Sequence, residues 1–286
     1  MDMNYYNDNE PFAAQWLRNL IEAGHIGEGT VDERSIADVK PKDLDGFSRC
    51  HFFAGIAGWE LALRLAGWSS ASDVWTGSCP CQPLSCAGKR AGEADKRHLW
   101  PVWQRLIEKC RPPVIFGEQV ASADGREWLA GVRLDLESMG YAVGAADMCA
   151  AGFAAPHIRQ RLFWVADAEY HGSSAVKQSG DTKDQRWMQQ SERCRSDGRL
   201  GNAEFSRSNR DNGRRTKHKS EIPNPWDDSE WLPCSDGKYR RTQSGIRPLA
   251  PRLPDRVGQL RAYGNSIVPQ VAAEFIRAFM ECQNPI

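Results

Sequence analysis

The stretch Gly77-Ser78-Cys79-Pro80-Cys81-Gln82-Pro83-Leu84-Ser85 limits the fold of this chain more tightly than any other. It follows a short apolar run, Asp73-Val74-Trp75, with the character of a buried strand, and it carries two prolines. Proline fixes φ and withholds a backbone donor, so the strand must end here in a stiff loop. A cysteine held between Pro80 and Gln82 then sits at the carboxyl end of a strand, where open α/β sheets place their ligands. Taken alone, the same residues also describe a plain loop with two small buried cysteines.

The flanking segments repeat one pattern. Cys50-His51-Phe52-Phe53 reads as a strand, Ala54-Gly55-Ile56-Ala57-Gly58 as a glycine turn, and Trp59 to Gly67 as a helix. Glycines let the backbone approach a ligand, and a helix start offers free N–H groups, although tight strand–helix packing explains such a turn equally well. Downstream, the periodicity predicts a helix from about His98 to Lys109, stopped by Arg111-Pro112-Pro113. Val114-Ile115-Phe116-Gly117 is the next strand, with Glu118-Gln119-Val120 at its carboxyl end. A carboxylate there is costly to bury without a partner. A βαβ unit sets such strand ends side by side, which brings Cys81 and Glu118 to one edge. A helix over about Arg126–Ser138 leads to Tyr141-Ala142-Val143. His157-Ile158-Arg159-Gln160-Arg161 then precedes the strand Leu162-Phe163-Trp164-Val165. In extended backbone Arg159 and Arg161 point the same way, toward an anion or a carbonyl-rich base, or simply toward solvent.

Residues 1–46 read as an N-terminal helix, over residues 12 to 23, plus a linker, with no chemistry assigned. Residues 47–167 form the predicted core. Residues 168–246 make a region poor in aliphatic side chains: from Arg186 to Lys219 there are 10 Lys/Arg against 4 Asp/Glu. Such a stretch builds little core and suits a polyanionic partner. Residues 247–286 return to the core through Gly264-Asn265-Ser266 and an amphipathic helix over Val268–Cys282.

Lys+Arg and Asp+Glu are both 37, so polyanion binding must come from this local asymmetry and not from a global field. Nine scattered cysteines argue for a reducing cytoplasm and against a disulfide scaffold. Cys79, Cys81 and Cys86 lack the spacing of a structural zinc site, so no metal is expected. No apolar run is long enough for a membrane span, and the polar start lacks the features of a secretion signal.

Together these motifs resemble the DNA cytosine-5 methyltransferase family. Phe53 to Gly58 is similar to its S-adenosylmethionine turn, and Pro80-Cys81-Gln82-Pro83-Leu84-Ser85 to its nucleophile loop. Glu118-Gln119-Val120 resembles its Glu-Asn-Val, with Gln119 for Asn. His157 to Arg161 resembles its Gln-x-Arg-x-Arg, with His157 for Gln. Gly264-Asn265-Ser266 before Val268-Pro269 resembles the motif that closes the cofactor site. The resemblance implies an α/β, Rossmann-like S-adenosylmethionine-dependent sheet with a small irregular target-recognition lobe. It implies a monomeric cytoplasmic enzyme, bacterial or phage-encoded, acting on double-stranded DNA. Its implied catalytic residues are Cys81, Glu118, Arg159 and Arg161. Those for S-adenosylmethionine are Phe53, Ala54, Gly55, Ile56, Gly58, Pro80, Asn265 and Ser266. Those for DNA are Gln82, Ser85, Lys89, Arg90, Arg214 and Arg215.

One departure stands out. The family places further strand–helix units between the glycine turn and the nucleophile loop, carrying acids for the cofactor's ribose and adenine. The segment from Gly58 to Cys81 is too short for them. His51 also stands where the first strand often carries an acid. Asp73, Glu60 or the N-terminal segment are the candidates to fill the gap. Two other functions remain compatible with the motifs: a DNA-binding relative with impaired catalysis, and a different pyrimidine C5-modifying enzyme.

Overall fold

The computed structural model describes residues 3–80, 99–155, 157–169, 229–233, 237, 239–243 and 264–283. The chain divides into two units, 1–170 with 224–286, and 171–223; the second lies outside the described residues. Within the first unit the elements run β1 (Met3–Asn7), α1 (Pro11–Glu22), β2 (Gly29–Asp32) and β3 (Phe47–Phe52). They continue with α2 (Gly58–Ala66), β4 (Val74–Gly77), α3 (Trp100–Cys110), β5 (Val114–Val120) and α4 (Ala123–Ser138). β6 (Ala142–Cys149), β7 (Gln160–Asp167), the hairpin β8 (Ser229–Pro233) and β9 (Tyr239–Gln243), and α5 (Pro269–Gln283) complete them.

Among the described residues, strands 1 to 7 form one sheet in the order β2-β1-β3-β4-β5-β7-β6. Neighbours from β2 through β5 are parallel, and β7 pairs antiparallel with both β5 and β6. This is a Rossmann-like α/β sheet with helices on both faces. The first 46 residues are more than the helix and linker expected of them. β1 lies inside the sheet between β2 and β3, and Tyr5 and Tyr6 are fully enclosed. The sequence signal was short: one apolar pair among polar neighbours, directly before a helix that Glu10 caps by accepting from the Ala13 amide at 2.7 Å.

Two aromatic layers cover the sheet. On one face Phe52, Trp75, Trp100, Trp103 and Trp164 interlock, with ring centroids 4.9–6.3 Å apart along Phe52–Trp75, Phe52–Trp103, Trp100–Trp103 and Trp100–Trp164. On the other face Trp59, Phe116, Phe163 and Phe275 pack beneath α2 and α5. The indoles fit because two strand glycines stand side by side, Gly77 of β4 opposite Gly117 of β5. A Cβ on Gly77 would lie 2.6 Å from the Trp103 ring, and one on Gly117 would lie 2.1 Å from the Trp164 ring. The helices match the sequence pattern with shifted ends. β6 is the larger difference, running to Cys149 as an edge strand with several exposed small residues.

Gly117→Ala is expected to lower stability by at least about 1–3 kcal/mol, the usual cost of overpacking. Urea unfolding of the purified variant measures this; an unchanged midpoint would mean that the Trp164 ring moves aside freely.

Candidate active site

The carboxyl ends of β1, β3, β4 and β5 meet the amino end of the antiparallel β7 on one edge of the sheet. A cavity of about 690 Å³ opens there, lined among others by Asp8, Phe53, Gly55, Ile56, Pro80, Glu118, Arg161 and Asn265.

The glycine turn after β3 is built on left-handed backbone. Phe53, Gly55 and Ala57 have φ of 51°, 55° and 65°. Glycine takes that conformation at least cost, and at Gly55 nothing lies within 4 Å of where a Cβ would stand. β1 fixes the turn from the side. The Ala54 amide donates to the Asn7 carbonyl at 3.0 Å, and the Gly55 amide donates to the Asp8 carboxylate at 2.7 Å. The other Asp8 oxygen accepts from the Glu10 amide at 3.0 Å. Burial pushes the Asp8 carboxyl above its ordinary value, and the two amides pull the other way.

The remaining predicted cofactor residues divide. Phe53, Gly55, Ile56, Pro80, Asn265 and Ser266 line the cavity. Ala54 instead packs into the core against Tyr6 and Leu17. Gly58 makes room for the C-terminal segment, because a Cβ there would come within 2.8 Å of Ile267. Of the acids considered for the cofactor, neither Glu60 nor Asp73 faces this cavity. Glu60 is only 2% exposed and sits between Arg49 Nη1 at 3.2 Å and His51 Nε2 at 3.3 Å. His51 bonds the Thr76 hydroxyl through Nδ1 at 2.8 Å. Asp73 opens, at the start of β4, on a separate cavity of about 570 Å³ shared with Asp167 and Phe279. Asp32, at the end of β2, is taken up by Arg34 and by the Tyr5 hydroxyl at 2.6 Å. Asp8, Glu10 and Asp124, none of them given a role from the sequence, line the site together with Glu118.

At the other end of the cavity Glu118 is 7% exposed, and its Oε1 lies 2.7 Å from Arg161 Nε. Burial raises the Glu118 carboxyl above the ordinary carboxylate range, against the pull of Arg161, Arg159 and the Ser78 hydroxyl. Arg159 reaches across to the C-terminal segment and donates to the Ser266 carbonyl at 2.6 Å. Burial and the charge of Arg161 both press its proton affinity down, and Glu118 opposes them. Gln119 donates to the Cys79 carbonyl at 3.2 Å, and its own carbonyl accepts from the Val120 amide at 2.8 Å. The end of β5 thus grips the chain two residues before Cys81. Cys81, Gln82, Ser85, Lys89, Arg90, Arg214 and Arg215 lie outside the described residues.

An α/β sheet with a glycine turn, a buried carboxylate–arginine pair and a proline loop on one edge defines the class to which known proteins can be compared. The family described as C-5 cytosine-specific DNA methylase matches residues 69–224, more than half of the chain. The chain belongs to that family. It is 32% identical over 96 residues to the type II methyltransferase M.AplI of Arthrospira platensis, covering 33% of this chain and 28% of that protein. It is 25% identical over 167 residues to the type II methyltransferase M.HhaI of Haemophilus parahaemolyticus, covering 45% and 51%. The chain therefore spans about half or less of the length of these relatives. A crystal structure of a Spodoptera frugiperda DNMT2 mutant aligns with 62% of this chain and 46% of its own at 14% identity, with a TM-score of 0.42. No helix among the described residues is long and apolar enough to cross a membrane.

Glu60→Ala would leave the Arg49 guanidinium buried without its carboxylate, at an expected cost of about 3–5 kcal/mol. Thermal and urea unfolding should show that loss. A stable Glu60→Ala protein with weakened cofactor binding would instead return Glu60 to the cofactor site.

Proposed function

We propose that this chain is a DNA cytosine-5 methyltransferase. It would move a methyl group from S-adenosylmethionine to C5 of a cytosine flipped out of double-stranded DNA, with Cys81 as the nucleophile. The observation that carries this reading is the Glu118–Arg161 pair on the same cavity as the Asp8–Gly55 turn and Pro80, the residue before Cys81.

Cytosine C5 is too weak a nucleophile to take a methyl group unaided. The Cys81 thiolate adds to C6, forming the Sγ–C6 bond, while N3 gains a proton from Glu118 and C5 becomes enamine-like. A carboxyl raised by burial suits this role, since it holds a proton to higher pH than an ordinary carboxyl and can pass it on. Arg161 fixes the carboxylate through Nε, and its other N–H groups supply a donor for ring O2. Once C5 carries the methyl group, its proton passes to a water molecule, the Sγ–C6 bond breaks with the electron pair returning to sulfur, and N3 gives its proton back to Glu118. A base inside the duplex is out of reach of a loop cysteine, so flipping is part of the reading.

The cavity fits the cofactor on three counts. Its volume of about 690 Å³ suits a nucleoside-sized ligand, the Cβ side of Gly55 is open, and Asp8 keeps carboxylate lone pairs for ribose hydroxyls. Phe53, Gly55 and Ile56 would hold the cofactor from the turn, Asp8 from β1, Pro80 from the nucleophile loop, and Asn265 with Ser266 from the C-terminal side. When bound, S-adenosylmethionine supplies the electrophilic methyl sulfonium. Gln82, Ser85, Lys89, Arg90, Arg214 and Arg215 are assigned to DNA, and the type II relatives support a restriction-modification setting in a bacterial or phage context.

Expression in a host without cytosine methylation, followed by bisulfite sequencing, tests the activity. Protected cytosines in one fixed context, lost in Cys81→Ser, are the expected result. Complete conversion despite soluble protein that binds DNA would favour a non-catalytic relative. In a separate assay, DNA containing 5-fluorocytosine plus S-adenosylmethionine should trap a covalent complex with the wild type and none with Cys81→Ala. An equal yield from that variant would remove Cys81 from its role.

A further inference from the structure

Ser78 was part of no sequence assignment, yet it stands beside the catalytic carboxyl. The paired positions Gly77 and Gly117 of the parallel strands β4 and β5 put Ser78 and Glu118 next in line, side by side at the strand ends. Glu118 lies two residues beyond Phe116 and so shares its face of the sheet. Trp59 covers that face from the first turn of α2, buried, stacked on Phe116 at 6.3 Å and edge-on to Phe163 at 6.1 Å. Held by two rings, the indole directs its N–H to Ser78 Oγ at 3.1 Å.

We propose that Ser78 is a positioning residue of this site, its hydroxyl aimed by the Trp59 indole so that it donates to Glu118. An indole N–H only donates, so it occupies a lone pair of the serine oxygen and leaves the hydroxyl proton for another acceptor. Glu118, next in register on β5 and lining the same cavity, is the acceptor placed to take it, and a hydroxyl there favours the charged carboxylate. With Arg161 on Oε1, the carboxylate lies between two donors from opposite sides of the site.

The arrangement answers a specific need of the carboxyl. Burial alone favours the protonated form of Glu118, whereas the reaction proposed above requires it to give the proton to N3 and take it back. A hydroxyl that donates more strongly to the carboxylate than to the acid lowers the cost of that release. Trp59 directly follows Gly58, so the relay runs from the end of the glycine turn to the carboxyl. The catalytic meaning of the relay rests on the methyltransferase reading; the hold of Ser78 on Glu118 does not.

The test is therefore a titration of Glu118 itself, by carbon NMR of full-length protein labelled at the glutamate side-chain carboxyl, with Glu118→Gln to assign the resonance. In Ser78→Ala the Glu118 midpoint should rise by about 1–2 pH units, the scale of one lost hydrogen bond to a charged group. Ser78→Thr, which keeps the hydroxyl, should titrate like the wild type. Trp59→Phe should move the midpoint the same way by less, and it serves as the second variant if Ser78→Ala folds poorly. Superimposed curves for the wild type and the variants that lack the hydroxyl or the indole N–H would overturn the proposal. Methyl transfer by the same proteins separates the two readings. If the wild type is active, the pH at which Ser78→Ala loses activity should move upward with the Glu118 midpoint, and an unmoved limb would overturn the role. A wild type that transfers no methyl group while its Glu118 midpoint still responds to Ser78→Ala would sink the methyltransferase reading and leave the Ser78–Glu118 contact standing.

Discussion

The hydrogen bond from the Gly55 amide to the Asp8 carboxylate is the contact on which the site depends. It joins the end of the first strand in the chain to the turn after the third. Their parallel register, Asn7 opposite Phe52, makes the join possible. Without β1 the left-handed turn at Phe53, Gly55 and Ala57 would lose its lateral support and the cavity its acidic wall. The strand–helix unit expected between the glycine turn and the nucleophile loop is supplied by β1, α1 and β2 from the other side of that turn in the chain. The sheet order β2-β1-β3-β4 shows how: the chain lays down the outer strands first and then passes back over β1 to begin β3. The short path from Gly58 to Cys81 is therefore no deficit, because it has only α2 and β4 to build.

The other half of the site depends on close packing. Gly77 and Gly117 admit the indoles of Trp103 and Trp164 beneath the sheet, while Trp59 and Phe116 close the opposite face. Rigid aromatic layers on both sides hold the ends of β4 and β5 in fixed register, so the backbone sets where Glu118 and Cys79 stand, and the Arg161 and Gln119 side chains then fix the carboxyl and the carbonyl. Gln119, longer by one methylene than the asparagine of the family motif, still spans to Cys79 and folds its own oxygen back onto the Val120 amide. The departure from the motif thus keeps the grip of β5 on the chain at Cys79.

Much of this was legible in the residues. The strands over Cys50–Phe53, Asp73–Trp75 and Val114–Gly117, the glycine turn, and the place of Glu118 at a strand end follow from apolar runs, breakers and the geometry of a βαβ unit. The residues alone leave Arg159 and Arg161 open between an anion, a base and solvent, and the structure turns Arg161 to Glu118. β1 was not, because five residues rich in Asn and Tyr carry little apolar signal and a strand buried by pairing on both edges needs none from a neighbouring hairpin. Glu60 misled for a related reason. Its carboxylate follows the glycine turn in sequence, but helical geometry turns it inward to Arg49 and His51. Ala54 and Gly58 were assigned to the cofactor as parts of one motif, whereas the turn presents only Phe53, Gly55 and Ile56 to the cavity. A motif defines a loop; which of its residues face a ligand is decided by φ and by what packs behind.

The claim that the N-terminal strand completes the cofactor seat is tested most directly by calorimetric titration of S-adenosylmethionine into the wild type, Asp8→Ala and Asp73→Ala. Asp8→Ala should weaken binding by about tenfold or more, the worth of a hydrogen-bonded charged group, and Asp73→Ala should leave it unchanged. Wild-type affinity in Asp8→Ala together with a loss in Asp73→Ala would contradict the account.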